Sequence, residues 1–466
     1  MPAACQPADP RPAPETRREE LRVEMRRLLA LAGPVVLAEI GWVAMGLVDT
    51  VMVSPLGPAA IGAVGLGGNA FMALAIFGMG LLLGLDTLVS QAYGAGCRED
   101  CRRWLFHGLA LAVAVSVPLT LLALTGVRHL HLVGLHPTTE RLAGPYLGAV
   151  TWSLLPLLLY AACRRYLQGM SLVRPITFAL VSANLVNAAA NYILIHGKLG
   201  APALGVTGAA WATVLSRVYM AGVLAIAIAL HDRQSSVTLR RSWDGLHLTR
   251  LRRLATLGLP ASIQVTLEVG VFATATLLAG RLDPVALASH QVALSIASAV
   301  FMVPLGVASA TAVLVGQAVG RQDPVGAGRA GWTALGVIGV FMVAAALVMV
   351  TLPRPLLRPF TADPFVLALG ARLLIVAAVF QLFDGFQAVA TGALRGIGDT
   401  RTPMGWNLVG HWALGLPLGY LAAFRLGWGV IGLWAGLALG LTVCGLALLR
   451  VWWLRVRSLD ASALPA

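Results

Sequence analysis

The chain has 466 residues, 58% of them hydrophobic and 12% charged, with a mean hydropathy of +0.81 and a formal net charge of +14. Soluble domains carry about a quarter charged residues, so this composition excludes an ordinary soluble protein and predicts an integral membrane one. The runs are long and continuously apolar, which excludes the short alternating segments of a transmembrane barrel.

A membrane-spanning helix needs roughly 20 apolar residues. In chain order, such runs lie at 28–53, 60–88, 104–126, 143–165, 175–196, 205–230, 253–280, 285–313, 328–352, 366–391, 404–424 and 428–453. They predict an all-α integral membrane fold of twelve transmembrane helices. The expected organisation is a cytoplasmic tail (1–27), a six-helix lobe (28–231), a cytoplasmic connector (232–252), a second six-helix lobe (253–457) and a short tail (458–466). The first tail lacks the apolar core and cleavage site of a signal peptide.

The basic charge follows topology. Of the 34 basic residues, 33 are Arg and one is Lys198. The two tails and alternate connections hold 25 of them, the opposite side holds eight, and Arg217 falls within a span. The positive-inside rule places both termini in the cytoplasm. No loop is long enough for a nucleic-acid-binding module, so the expected partner is the lipid bilayer.

The chain repeats itself. A shift of 226 residues aligns Pro34 with Pro260, Leu56-x-Pro58 with Leu282-x-Pro284, Gly80 with Gly306, and "LVSQAYG" (88–94) with "LVGQAVG" (314–320). "LQGMSLVR" (167–174) meets "LRGIGDTR" (394–401) at a shift of 227, and "GVTG" (205–208) meets "GVIG" (429–432) at 224. Two lobes of six spans each start on the same side, so the repeats are parallel. That plan is typical of transporters that work by alternating access.

Five acids fall in or near spans: Glu39, Asp49, Asp86, Glu268 and Asp384. Each costs roughly 2.5–3.5 kcal/mol at a helix centre on insertion scales, and such residues usually handle ions, protons or substrate. Asp86 lies near the cytoplasmic end of its span. Glu39 lies ten residues before Asp49, roughly 15 Å along a helix, so the two do not share a site. For Asp49, span five offers Asn184, Asn187 and Asn191, and span six offers Thr213. Asn187 and Asn191 are four apart and share a helix face. A carboxylate, amide oxygens and a hydroxyl are hard ligands, suited to Na+ or to a protonatable acid in a polar network. Asparagines that merely tie helices together are the plainer alternative. Glu268 and Asp384 belong to the other lobe, and two carboxylates close together resist ionising together.

At these residues the sequence resembles the MATE (multidrug and toxic compound extrusion) family. The likeness spans both lobes and rests on "GLVDTVMVSPLG", "VSQAYGAG", "NAAANYILIHG", "ASHQVAL", "VGQAVGR" and "ALRGIGDTRTP", in that order. The acid pattern is most similar to the NorM branch. The resemblance implies a V-shaped pair of pseudo-symmetric six-helix bundles and a monomeric secondary exporter in the bacterial inner membrane. It implies antiport of cationic amphipathic drugs or dyes against Na+ or H+, with no cofactor and no enzymatic activity. Carried over by position, Asp49, Asn187, Asn191 and Thr213 match the amino-lobe cation site, and Glu268 and Asp384 the carboxy-lobe site. Members of the branch can carry a tyrosine four residues before Asp384. Here that position is Phe380, which predicts weaker Na+ binding in that lobe.

Trp42, Met45, Phe272, Phe380 and Phe383 are candidate walls of a drug cavity, although packing explains each individually. His290 and His411 are candidate proton carriers, with a helix contact the plainer reading of each. Asp399 and Arg401 are expected to pair and shape a turn. A lipid-linked oligosaccharide flippase would want cations inside the spans, where Arg217 stands nearly alone. A membrane-embedded prenyl transferase would need clustered aspartates such as DDxxD, and none occurs.

Overall fold

The computed structural model describes residues 17–133, 137–234 and 245–462. The remainder of the expected tails and connector lies outside them. The described residues are helical nearly throughout. α1 (Arg17–Val53), α2 (Pro58–Leu81), α3 (Gly84–Gly94), α4 (Arg98–Arg128), α5 (Pro137–Thr151), α6 (Leu154–Gly169), α7 (Arg174–His196) and α8 (Val206–Gln234) make up the first half. The second half contains α9 (Leu248–Ala279), α10 (Pro284–Gly320), α11 (Pro324–Thr351), α12 (Pro353–Leu357), α13 (Pro364–Ile397), α14 (Arg401–Asn407), α15 (Leu416–Tyr420) and α16 (Gly429–Ser462).

Ten helical stretches are long and apolar enough to cross a membrane, α2 and α3 counting as one. The pair α5 and α6, bent by 45°, forms an eleventh. The predicted span 404–424 is an unbroken helical run that changes register twice, α14 and α15 alternating with π-helical turns at Leu408–Gly415 and Leu421–Arg425. Every predicted span thus falls on helix. The helices overrun the apolar segments because backbone hydrogen bonding continues into the polar interface until a residue stops it.

Local chemistry sets several starts. Asp283, Asp323 and Asp363 each precede a proline and each accepts a backbone N–H of the following turn, from Ala286 at 2.7 Å, Gly326 at 2.7 Å and Phe365 at 2.8 Å. The aspartate is the cap, and the proline fills a first-turn position whose N–H has no helical partner. In the first half α7 opens with Pro175 in its first turn and closes on Gly197, whose φ of 67° is the left-handed conformation that ends helices.

Packing divides the chain into two compact units. The amino unit comprises Leu37–Tyr93 and Cys97–Ser262. The carboxy unit comprises the described residues up to Val36, Gly94–Gly96, and the described residues from Ile263 on. The divisions fall inside α1 and α9. The amino unit's core includes Phe71, Leu85, Leu157, Leu158, Tyr160 and Leu180. The carboxy unit's includes Leu373, Leu374, Leu433, Trp434 and Leu437. There the π-helical run packs on α16 through glycines: a Cβ on Gly436 would run into Gly419, and one on Gly440 into Gly410. Small residues allow this close approach between membrane helices.

Candidate cation sites

Asp49 lies one turn before the end of α1 and is buried. Asn187 and Asn191, fully buried on one face of α7, donate to its Oδ1 from Nδ2 at 3.1 and 2.7 Å. Thr213 of α8 donates to Oδ2 at 3.0 Å. Asn191 Nδ2 also donates to Asn187 Oδ1 at 3.1 Å. That leaves Asn191 Oδ1 buried beside a carboxylate with no hydrogen-bond partner. An orphaned acceptor next to an acid is where a small hard cation would be held. The third asparagine stands apart: Asn184 Nδ2 donates to the carbonyls of Gly41 at 3.1 Å and Leu180 at 2.9 Å. It ties α7 to α1.

In the carboxy unit, Glu268 of α9 and Asp384 of α13 lie within electrostatic reach of each other. Asp384 is buried and, among the described residues, accepts no hydrogen bond. Glu268 takes one from Asn407 Nδ2 at 3.5 Å, near the outer limit for such a bond. Asn407 Oδ1 is buried without a partner. Asn407 ends α14, where the first π-helical segment begins, and π turns often occur at functional sites. No spacing pattern in the sequence marks it. The signal available was its place on the element that the 227-residue shift aligns with the asparagine-bearing α7.

The candidate wall residues sit as follows. Met45 is buried in the amino unit's core, and Trp42 packs against that core. Phe380 is buried, its ring edge-on to Phe272 at 6.0 Å and tilted against Trp434 at 5.8 Å. Phe383 is half-buried. His290 bridges Thr276 (2.8 Å) and the indole N–H of Trp434 (3.0 Å), so both ring nitrogens are used in helix contacts. His411 Nδ1 faces the Asn407 carbonyl at 3.2 Å, and its Nε2 is buried without a partner.

The two acids without an assigned role have ion-pair partners. Glu39 accepts from Arg164 of α6. Asp86 of α3 pairs with Arg165 at 3.3 Å. Both belong to the packing of α6 within the amino unit. The expected Asp399–Arg401 pair does not form. Asp399 caps α14 through the N–H (3.1 Å) and hydroxyl (2.9 Å) of Thr402, and pairs with Arg455 of α16 at 2.8 Å. As α14 starts at Arg401, its first-turn donors converge on the preceding carboxylate. Among the described residues no three His, Cys, Asp or Glu side chains converge, and the groups around Asp49 are two amides and a hydroxyl that donate to its carboxylate.

The long apolar helices make this a multi-pass membrane protein. The MatE family model matches residues 34–193 and again 260–421, so the chain belongs to that family, whose members are transporters rather than enzymes. The second match begins 226 positions after the first. The chain is 39% identical over 447 residues to a protein of Mesorhizobium japonicum named probable multidrug resistance protein NorM, covering 93% of this chain and 94% of that one. It is 34% identical over 444 residues to the multidrug resistance protein NorM of Burkholderia vietnamiensis, again covering 93% and 94%. Among solved structures, the eukaryotic MATE transporter AtDTX14 is similar with a TM-score of 0.84 at 22% identity, over 95% of this chain and 100% of that one. A MOP superfamily transporter from Pyrococcus furiosus gives 0.86 at 21% identity, over 96% and 100%. These structures share the fold.

Proposed function

We propose that this protein is a secondary active multidrug exporter. It antiports cationic amphipathic organic compounds against Na+ or H+ by alternating access, as a monomer in the bacterial inner membrane with both termini cytoplasmic. The observation that carries this reading is the buried Asp49 with three donors and the unpartnered Asn191 Oδ1. A cation entering there satisfies that oxygen and neutralises the carboxylate. The names of the curated relatives support the drug class. Asp49, Asn187, Asn191 and Thr213 form one coupling site and Glu268 with Asp384 the other. Coupling requires that the cation bind the two facing states with different affinity.

The test is reconstitution in proteoliposomes with a fluorescent organic cation, imposing Na+ and pH gradients separately. At least one gradient should drive dye movement, and the drive should fall in Asp49→Asn. Dye movement indifferent to both gradients would rule out antiport. Turnover of a pyrophosphate-linked lipid without dye export would favour the flippase alternative.

A further inference from the structure

Arg217 is buried on α8 four residues after Thr213, so the two side chains leave the same helix face one turn apart. Thr213 touches Asp49 at 3.0 Å. Arg217 nevertheless makes no ion pair with Asp49 among the described residues. Its Nη1 donates to Ser153 Oγ at the bend between α5 and α6. The guanidinium lies 4.4 Å from the ring centre of Phe71 and 5.8 Å from that of Trp42. Its Nε is buried without a partner. A hydroxyl and two aromatic faces thus hold a cation beside the acid, yet off it. Packing alone would be met by an apolar side chain: the 224-residue shift that aligns "GVTG" with "GVIG" puts Leu441, fully buried, at the equivalent position.

We propose that Arg217 is a tethered cation that sets how tightly the Asp49 site binds a monovalent cation, a positioning residue that does not touch the ion. The proposal rests on the reading of Asp49 as a cation site. A fixed positive charge several ångströms from a bound ion repels it by an amount worth roughly one order of magnitude or more in binding constant, at the effective dielectric of protein sites. Tethering keeps the guanidinium from occupying the ion's place. With Arg217 present the site releases its ion readily, as a transport cycle requires.

Equilibrium binding of radioactive Na+ to nanodisc-embedded protein tests this. Glu268→Gln with Asp384→Asn serves as the parent, so that the Asp49 site is read alone. Arg217→Gln should lower the half-saturating Na+ concentration at least about tenfold, while Arg217→Lys stays within about threefold of the parent. Ser153→Ala keeps the charge but frees it to approach Asp49, and should raise half-saturation. These opposite signs do not arise from general loosening of the fold, and Ser153→Ala decides the matter if Arg217→Gln does not fold. Adding Asp49→Asn to Arg217→Gln should abolish the binding. If parent binding depends on Asp49 but is unmoved by Arg217→Gln and by Ser153→Ala, the Arg217 proposal fails alone. If neither the parent nor Arg217→Gln shows Asp49-dependent binding, the cation-site reading fails and takes this proposal with it.

Discussion

The amino unit surrounds a single carboxylate with three donors and keeps an arginine one turn away along α8. The carboxy unit brings two carboxylates within reach of each other and supplies one donor at 3.5 Å. The sequence shifts relate the two. Glu268 corresponds to Trp42, and Asp49 stands seven residues beyond Trp42. Asn407 corresponds to Leu180, and Asn187 stands seven residues beyond Leu180. An acid–amide pair therefore occurs in both halves, displaced along its two helices by the same two turns, about 10 Å at the rise of an α-helix. Thr213 and Arg217 correspond to the buried Leu437 and Leu441. The duplicated helices are a shared frame that carries two electrostatically different clusters, one nearly balanced and one acidic.

Removing the acids should break this comparison most sharply. Asp49→Asn, and separately Glu268→Gln with Asp384→Asn, should each reduce gradient-driven dye export about tenfold or more, within the usual range of coupling free energies. Initial rates in proteoliposomes at matched protein content measure this. A variant exporting within twofold of wild type removes its acids from the coupling step.

The amides should separate the sites next. A hydrogen bond to a charged group is worth about 1.5–3 kcal/mol. Asn191→Ala, which deletes a 2.7 Å bond to Asp49, should destabilise the protein by that much, and Asn407→Ala, at 3.5 Å, by less than about 1 kcal/mol. Thermal unfolding of the two variants in one detergent provides the comparison, and equal losses would erase the distinction drawn here. Thr213→Val removes one hydroxyl from Asp49 and should fall between them, at about 1–2 kcal/mol; no change would take Thr213 out of the site.

The smallest effect is expected at Phe380. Phe380→Tyr adds a hydroxyl one turn before Asp384, on the same face of α13. In an Asp49→Asn background it should strengthen Na+ binding about threefold, the scale of one neutral hydrogen bond. Unchanged or weaker binding would show that the ring's packing against Phe272 and Trp434 keeps the hydroxyl from the acids.

The helices and the side-chain cluster around Asp49 were readable from the chain, for a physical reason. Hydropathy is a local property, and the i, i+4 spacing of Asn187 and Asn191 puts them on one face whatever lies opposite. Pairings between distant helices were not readable. Glu39 and Asp86 are isolated acids in the sequence, and only the packing of α6 brings Arg164 and Arg165 to them. Asp399 was expected to pair with its neighbour Arg401, yet the cap geometry of α14 turns it toward Thr402 and Arg455. Asn407 escaped notice because a lone asparagine in an apolar run has no spacing pattern. Its meaning emerges when its seven-residue offset matches that of Glu268.

The Glu39–Arg164 pair also bears on how the chain is made. The partners are separated by 125 residues. Translation at about 5–20 residues per second brings α6 out of the ribosome roughly 6–25 s after α1. During that interval Glu39 lacks the arginine it pairs with in the folded unit, and Asp49 waits slightly longer for the asparagines of α7. The ion pair that ties α1 to α6 is therefore a late contact, made only after α6 has been synthesised.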